Sequence, residues 1–351
     1  MLKKIVFRCD GAALPEVGTG HIVRDIEIAN ALVAKGLCSA GEISFVARVE
    51  GPFFVGCRLI KEAGFRIEAV KDDSLNWNSD EESRALINIA PTILIIDRLS
   101  TDFEWMASLV KNICSVVAID DVGGGALLAN VLINGILHDI PSARYRYVGY
   151  DYLFLKNADF PKKIKVPKES CRIVASFGGY DHRDLMGFFL DTLLEDDMLE
   201  KNLGSIELLV GPEDNKTIDR WKGKSKKISL KYAIEVDLVI NAPDFLARVS
   251  EADIAVLSGG LTIFDAVSLG VPSLGLPQYE HQLNTLHTLQ VSNAVRIGSK
   301  GMVLDQVFFS QSFARMILSQ EERTLLKNVG PSVIDRKGSL RIVDIFSALL
   351  K

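Results

Sequence analysis

Short runs of Val, Ile and Leu alternate with longer amphipathic stretches through nearly the whole chain. In the first half the runs fall at residues 4–8, 43–47, 92–96, 115–119 and 131–136. They show little polar alternation, which predicts strands covered on both faces. Between the first two runs, Ile22, Ile26, Ala29, Leu32 and Val33 recur at helical spacing over residues 20–35, and Gly36 follows as a stop signal. Strand, helix and strand repeated in this way predict a parallel, doubly wound α/β sheet. The pattern breaks at 162–170, where two prolines and unpaired lysines carry neither periodicity. A second set of strands follows at 172–177, 206–210, 237–240, 254–257 and 273–276. Residues 222–227, a basic run within that half, read as a solvated loop. Near the end, Leu340, Val343, Phe346 and Leu350 form an apolar stripe on a helix, with Ser339 placed as its N-cap. The expected organisation is a first Rossmann-like domain over 1–160, a linker over 161–170, a second such domain over 171–334 and a terminal helix over 335–351.

The chain has 351 residues, and about 150 residues per domain agrees with two domains. Forty Lys and Arg against forty-five Asp and Glu give a net charge of −5, which speaks against a general nucleic-acid binder. No apolar run approaches the roughly 18–20 residues that span a bilayer, and the apolar part of the first eight residues is too short for a signal peptide. The five cysteines are scattered, with no C-x-x-C spacing. That suits reduced core residues in a cytoplasmic protein and predicts no metal site and no cofactor.

Three glycine turns stand at predicted strand ends, on the edge where open α/β sheets bind ligands. The first is Arg8-x-Asp10…Gly18-Thr19-Gly20-His21-x-x-Arg24. It lacks the third glycine of a dinucleotide fingerprint and the Lys of a Walker loop. His21 opens a helix, whose dipole disfavours imidazolium, so a neutral ring able to accept a proton is expected, with Asp10 as its orienting carboxylate. Arg24 either holds the helix or touches a ligand. The second turn is Ser176-Phe177-Gly178-Gly179-Tyr180-Asp181, ahead of a helix predicted over 182–194; by itself it reads as a tight turn. The third is Ser258-Gly259-Gly260-Leu261-Thr262, where a helix start offers N–H groups and hydroxyls to a diphosphate, with Asp265 a turn further in. Asp120-Asp121 reads as a turn or a support for other site groups. His138, His182 and His287 lack ligand spacing, and Phe188-Phe189 reads as core.

The first of these motifs resembles the amino-terminal signature of the UDP-sugar hydrolases of pseudaminic acid biosynthesis, a family that also takes in spore-coat polysaccharide proteins. Ile119-Asp120-Asp121, Ser176-Phe177-Gly178-Gly179-x-Asp181 and Asp335-x-x-Gly338-x-x-Arg341 are similar to further elements of that family. Gly259-Gly260-x-Thr262…Gly270-x-Pro272…His281-Gln282-x-x-Asn284 also resembles the lipid II-forming N-acetylglucosaminyltransferase family. Both resemblances imply the GT-B architecture: two Rossmann-like domains facing a cleft, nucleotide mainly on the second, and a final helix crossing back. They imply His21 as the base activating water, Gly259, Gly260 and Thr262 at the diphosphate, Asp265 where the family has a ribose-binding glutamate, and Gln282 near the sugar. His281 takes the transferase-like form, and Arg336 stands in place of a glycine. The expectation is metal-independent hydrolysis of a nucleotide sugar. The alternatives are a GT-B glycosyltransferase and a non-catalytic nucleotide-sugar-binding protein.

Overall fold

The computed structural model describes residues 3–12, 14, 17–136, 145–155, 170–195, 202–211 and 213–350. The chain divides into two units, Met1–Lys156 with Arg336–Lys351, and Asn157–Asp335.

The first unit is built on seven strands, β1 (Ile5–Arg8), β2 (Ile43–Val46), β3 (Arg66–Ile67), β4 (Ile93–Asp97), β5 (Ser115–Ile119), β6 (Val131–Asn134) and β7 (Tyr145–Val148). They pair in parallel in the order β3-β2-β1-β4-β5-β6-β7. Ile5 aligns with Ile43 on one side and with Ile93 on the other. Among the described residues, four α-helices lie between these strands: α1 (Gly20–Ala34), α2 (Phe54–Glu62), α3 (Asp80–Ile89) and α4 (Phe103–Asn112). Ile5, Phe7, Phe45, Ile93, Ile95 and Val117 pack into one core, whereas Val6, Val46, Leu94, Ile96 and Val116 pack into another. Successive strand residues therefore bury on opposite faces, which is why these strands read as unbroken apolar runs.

The second unit repeats the plan with β8 (Cys171–Ser176), β9 (Leu203–Val210), β10 (Glu235–Ile240), β11 (Ile254–Ser258), β12 (Ser273–Leu276) and β13 (Arg296–Ile297). Their order is β10-β9-β8-β11-β12-β13, again parallel. The helices are α5 (Leu185–Glu195), α6 (Asn215–Tyr232), α7 (Phe245–Ser250), α8 (Leu261–Ser268), α9 (Glu280–Val291), α10 (Gln306–Leu318) and α11 (Gln320–Val333). Phe189, expected in the core, is fully buried there with Phe309 and Phe313.

The chain then returns to the first unit through α12 (Gly338–Leu349). Val343, Phe346 and Leu350 of the predicted stripe join the α1 side of the core with Ile342 and Ile345, while Leu340 is half exposed. The cap position is Lys337, and the Ser339 hydroxyl is buried without a partner, so Ser339 is not the N-cap. Gly338 leaves no room for a Cβ against the Leu153 backbone, and Arg341 donates to the Asp151 carbonyl at 3.0 Å. The Asp335–Arg341 element therefore anchors the terminal helix.

The basic run is not a loop. It lies within α6, where Ile218, Trp221, Ser225, Ile228 and Tyr232 turn inward every three or four residues and Lys222, Lys226 and Lys227 stay exposed. Of the predicted linker, residues 161–169 lie outside the described residues, as does His138.

Candidate active site

In each sheet the chain runs outward in two directions from one central pair of strands, β1 and β4 in the first unit and β8 and β11 in the second. The crevice beyond such a pair, at the carboxyl edge, is where open α/β sheets hold ligands. The candidate residues gather at these two places.

In the first unit, Gly18 closes the loop after β1 by accepting the Ala12 N–H at 2.7 Å, and Gly20 opens α1. Thr19, at the cap position, makes no side-chain cap bond. His21 follows, and its Nδ1 lies 2.6 Å from Oδ1 of Asp97, the last residue of β4. One turn along α1, Arg24 donates from Nε to Asp97 Oδ2 at 2.9 Å, from Nη2 to Asp97 Oδ1 at 2.6 Å, and from Nη1 to Asp120. Asp97 is buried, while the His21 side chain keeps 22% of its exposure. A carboxylate at Nδ1 fixes the ring proton there and leaves Nε2 as the proton acceptor.

The electrostatics follow from these contacts. Burial alone would raise the Asp97 carboxyl, but Arg24 and His21 outweigh it and hold Asp97 well below the usual carboxylate range. The Asp97 charge raises His21 above the ordinary imidazole value, against burial, which lowers it. The expectation of a ring disfavoured as imidazolium by its helix is therefore corrected. A helix terminus contributes about 0.3–1 kcal/mol, whereas a hydrogen bond to a charged group contributes about 1.5–3 kcal/mol. The carboxylate wins.

Asp10 is not the partner of His21. It accepts from Arg8 Nη1 at 2.7 Å, the Arg48 backbone N–H at 2.8 Å and the Trp77 indole at 3.1 Å. Burial would raise it, but the Arg8 charge prevails and brings it down to about 2. It ties the ends of β1 and β2 together. Asp120, with φ of +54°, faces Arg24, and Asp121 closes a turn by accepting from the Thr101 and Gly123 N–H groups. Asp97 was missed in the sequence because it carries no motif. Its one signal is a lone carboxylate ending a wholly apolar strand.

In the second unit, Gly178 follows β8 in the left-handed region, φ +93°, beside Ser258 at the end of β11. Gly179 continues that turn against Gly211. Asp181 accepts from the Leu185 and Met186 N–H groups at 2.9 and 2.7 Å, which is why α5 begins at Leu185 and not at residue 182. Burial pushes the Asp181 carboxyl up to about 6. Gly260 caps α8 without any side-chain cap bond, so the turn leading into Leu261 and Thr262 presents free helical N–H groups. Leu261 is half exposed; Thr262 and Asp265 are partly exposed.

Gly259 and Gly260 differ physically. A Cβ on Gly259 would stand 2.6 Å from the Gln282 carbonyl oxygen, while one on Gly260 meets nothing nearer than 3.7 Å. Gly259 is there for close packing of α9, and Gly260 leaves the helix start open. Gln282 is buried, its Oε1 accepting the Gln278 N–H at 2.9 Å. Gln278, another residue not foreseen, donates to the Phe177 and Tyr180 carbonyls and accepts from the His182 N–H at 2.9 Å. His281 stacks on Tyr279 at 5.5 Å, and Tyr279 stacks on His182 at 5.9 Å. Thus Gly178, Gly179, Ser258–Thr262 and Gln282 share one edge of the sheet.

Among the described residues, no group of three or more His, Cys, Asp or Glu could hold a metal ion, and no helix is long and apolar enough to cross a membrane.

No protein-family model matches the chain. Among curated proteins it is similar to the spore coat polysaccharide biosynthesis protein SpsG of Bacillus subtilis, 26% identical over 269 residues, 73% of this chain and 76% of that one. Among solved structures, MurG of Acinetobacter baumannii matches with a TM-score of 0.68 at 14% identity, covering 98% of this chain and 99% of that one. The spinosyn rhamnosyltransferase SpnG, complexed with thymidine diphosphate, matches with a TM-score of 0.56 at 12% identity, covering 98% and 100%. The fold is GT-B, with two parallel-sheet Rossmann-like domains.

Proposed function

We propose that the chain is an enzyme, a glycosyltransferase that moves a sugar from a nucleoside diphosphate to an acceptor hydroxyl in polysaccharide assembly. The observation that carries this reading is the His21–Asp97 pair, with Nδ1 occupied and Nε2 left for a substrate proton. The likeness to a spore coat polysaccharide protein and to a rhamnosyltransferase with a bound nucleoside diphosphate supports transfer over hydrolysis.

In this reading His21 Nε2 takes the acceptor O–H proton as that oxygen bonds to the anomeric carbon, a step contributing about 10²–10⁴ in rate. Asp97 stabilises the imidazolium that forms. Arg24 holds Asp97 with two hydrogen bonds, so its part is to fix the carboxylate. The bond from the anomeric carbon to the diphosphate oxygen breaks, and the negative charge left behind is met by the free N–H groups of α8 and the Ser258 and Thr262 hydroxyls. A well-placed donor of this kind contributes about 3–4 kcal/mol. Gln282 would approach the sugar and Asp265 the ribose.

The test is to incubate purified protein with a panel of UDP- and dTDP-sugars, with and without hydroxyl acceptors. Transfer predicts nucleoside diphosphate release only with an acceptor. Free sugar formed without one would instead make the protein a hydrolase. Binding that survives His21→Ala, with no turnover under any condition, would make it a sensor.

The glycine pair supplies a separate check. Gly259→Ala should cost about 1–3 kcal/mol by overpacking against α9, lowering Tm and nucleotide affinity together. Gly260→Ala should leave stability within about 0.5 kcal/mol and still weaken binding, because its methyl stands only where the diphosphate would lie. Calorimetry and nucleotide titration of both variants decide this.

A further inference from the structure

We infer that Asp25, next to Arg24 on α1, is a neutral carboxylic acid that donates a hydrogen bond to Asp97 and so sets how tightly His21 holds its proton. This deepens the proposed function, since it concerns the same base. Asp25 has no exposed surface, and no N–H or O–H group donates to either of its oxygens; the donor beside it is the weak Cys9 thiol. Facing it are the Asp97 carboxylate from β4, the Cys9 thiol after β1 and the Arg24 guanidinium on its own helix, with His21 and Asp120 beyond. Arg24 is already shared by Asp97 and Asp120, so one cation serves two carboxylates. A third buried anion there would have no counter-charge, whereas the acid is stable and has a donor to offer.

The proton belongs on Asp25 and not on its neighbour. Asp97 accepts two bonds from Arg24 and one from His21, while Asp25 has only the weak Cys9 thiol beside it. Burial and the Asp97 charge push Asp25 well above the carboxylate range, while Asp97 is held well below it. Adjacent carboxyls driven apart in this way act as one acid and one base. The consequence reaches His21 through Asp97. An ionised Asp25 would add a second negative charge behind the imidazole and make it hold its proton harder. The neutral acid spreads the Asp97 charge instead. Asp25 is therefore a positioning residue.

The experiment titrates the His21 ring by NMR in the full chain, as wild type, Asp25→Asn and Asp25→Leu, with infrared spectra of wild type and Asp25→Asn at neutral pH. The infrared difference should show the carbonyl stretch of a protonated acid in wild type only. Asn, neutral and still a donor, should leave the His21 titration within about 0.3 unit. Leu removes the donor and should move it up by about half a unit. Stability gives a further sign. A carboxyl raised by folding favours the native state at acid pH and ceases to do so as pH rises above the unfolded value of about 3.9. Asp25→Asn should thus gain Tm over wild type progressively as pH rises from about 4, until Asp25 itself ionises. No acid carbonyl band, or a fall in the His21 titration of about one unit or more in Asp25→Asn, would show an ionised Asp25 and overturn the inference. An unchanged His21 titration in Asp25→Leu would overturn its action through Asp97. None of these readouts needs turnover, so the result stands apart from whether sugar transfer is found.

Discussion

Replacing His21 with alanine is expected to lower kcat by about two to four orders of magnitude while leaving nucleoside diphosphate affinity within about twofold. The two halves of that prediction rest on different parts of the chain. The proposed proton acceptor is Nε2 of a ring on α1, clamped through Nδ1 by Asp97. The proposed diphosphate contacts lie on α8 and on the turns after β8 and β11. Removing the ring takes away an interaction made only as the acceptor proton moves, and such a loss lowers kcat without weakening substrate binding. Isothermal titration with the diphosphate, beside initial rates, separates the two. A comparable loss of affinity would place His21 in ligand binding instead.

Asp97→Asn is expected to be nearly as damaging. Asparagine keeps the shape but not the charge, and its amide nitrogen can donate to Nδ1, stabilising the tautomer with the proton on Nε2. In a serine protease triad the same change costs about 10⁴ in kcat, and a loss of about 10²–10⁴ is expected here. Arg24, with 14% of its side chain exposed, would also lose one of its two carboxylates. Breaking a buried ion pair costs about 3–5 kcal/mol, and the lower end applies because Asp120 still accepts from Nη1. The stability loss has a pH signature. Asp97, depressed by its partners, stabilises the native state above the unfolded value of about 3.9. That contribution disappears as pH falls through its folded value, so wild type and Asp97→Asn should converge in strongly acid solution.

The strands with both faces buried were plain in the sequence, because each carries an unbroken apolar run. The edge strands β3 and β7 were not. β3 is only Arg66–Ile67, and β7 begins with the exposed Tyr145 and Arg146, since an edge faces solvent where a central strand faces core. The lysines of α6 hid a helix whose buried positions include a tryptophan and a serine, and so read as polar. His21, Arg24 and the Ser258–Thr262 helix start could be recognised because local chemistry places them at strand-to-helix turns. The partner of His21 could not. Three carboxylates, Asp10, Asp97 and Asp120, stand at strand ends, and sheet order decides which one meets α1. Asp10 is nearest in sequence, yet Arg48 and Trp77 draw it toward β2. Asp97 lies 76 residues from His21 and meets it because β4 runs beside β1. Long-range pairing of this kind leaves no trace in local spacing.

The central claim is that His21, gripped by Asp97, removes a proton as a neutral base. The most direct measurement is kcat/KM against pH for wild type and Asp97→Asn side by side, since this ratio reports the ionisation of the free enzyme. A base must be uncharged to work, so the wild-type rate should fall on the acid side. Because Asp97 raises His21, the midpoint should lie above the unperturbed imidazole value of about 6.5. In Asp97→Asn that limb should move to lower pH along with the fall in rate. A limb at the same pH in both proteins, or none at all, would contradict the account.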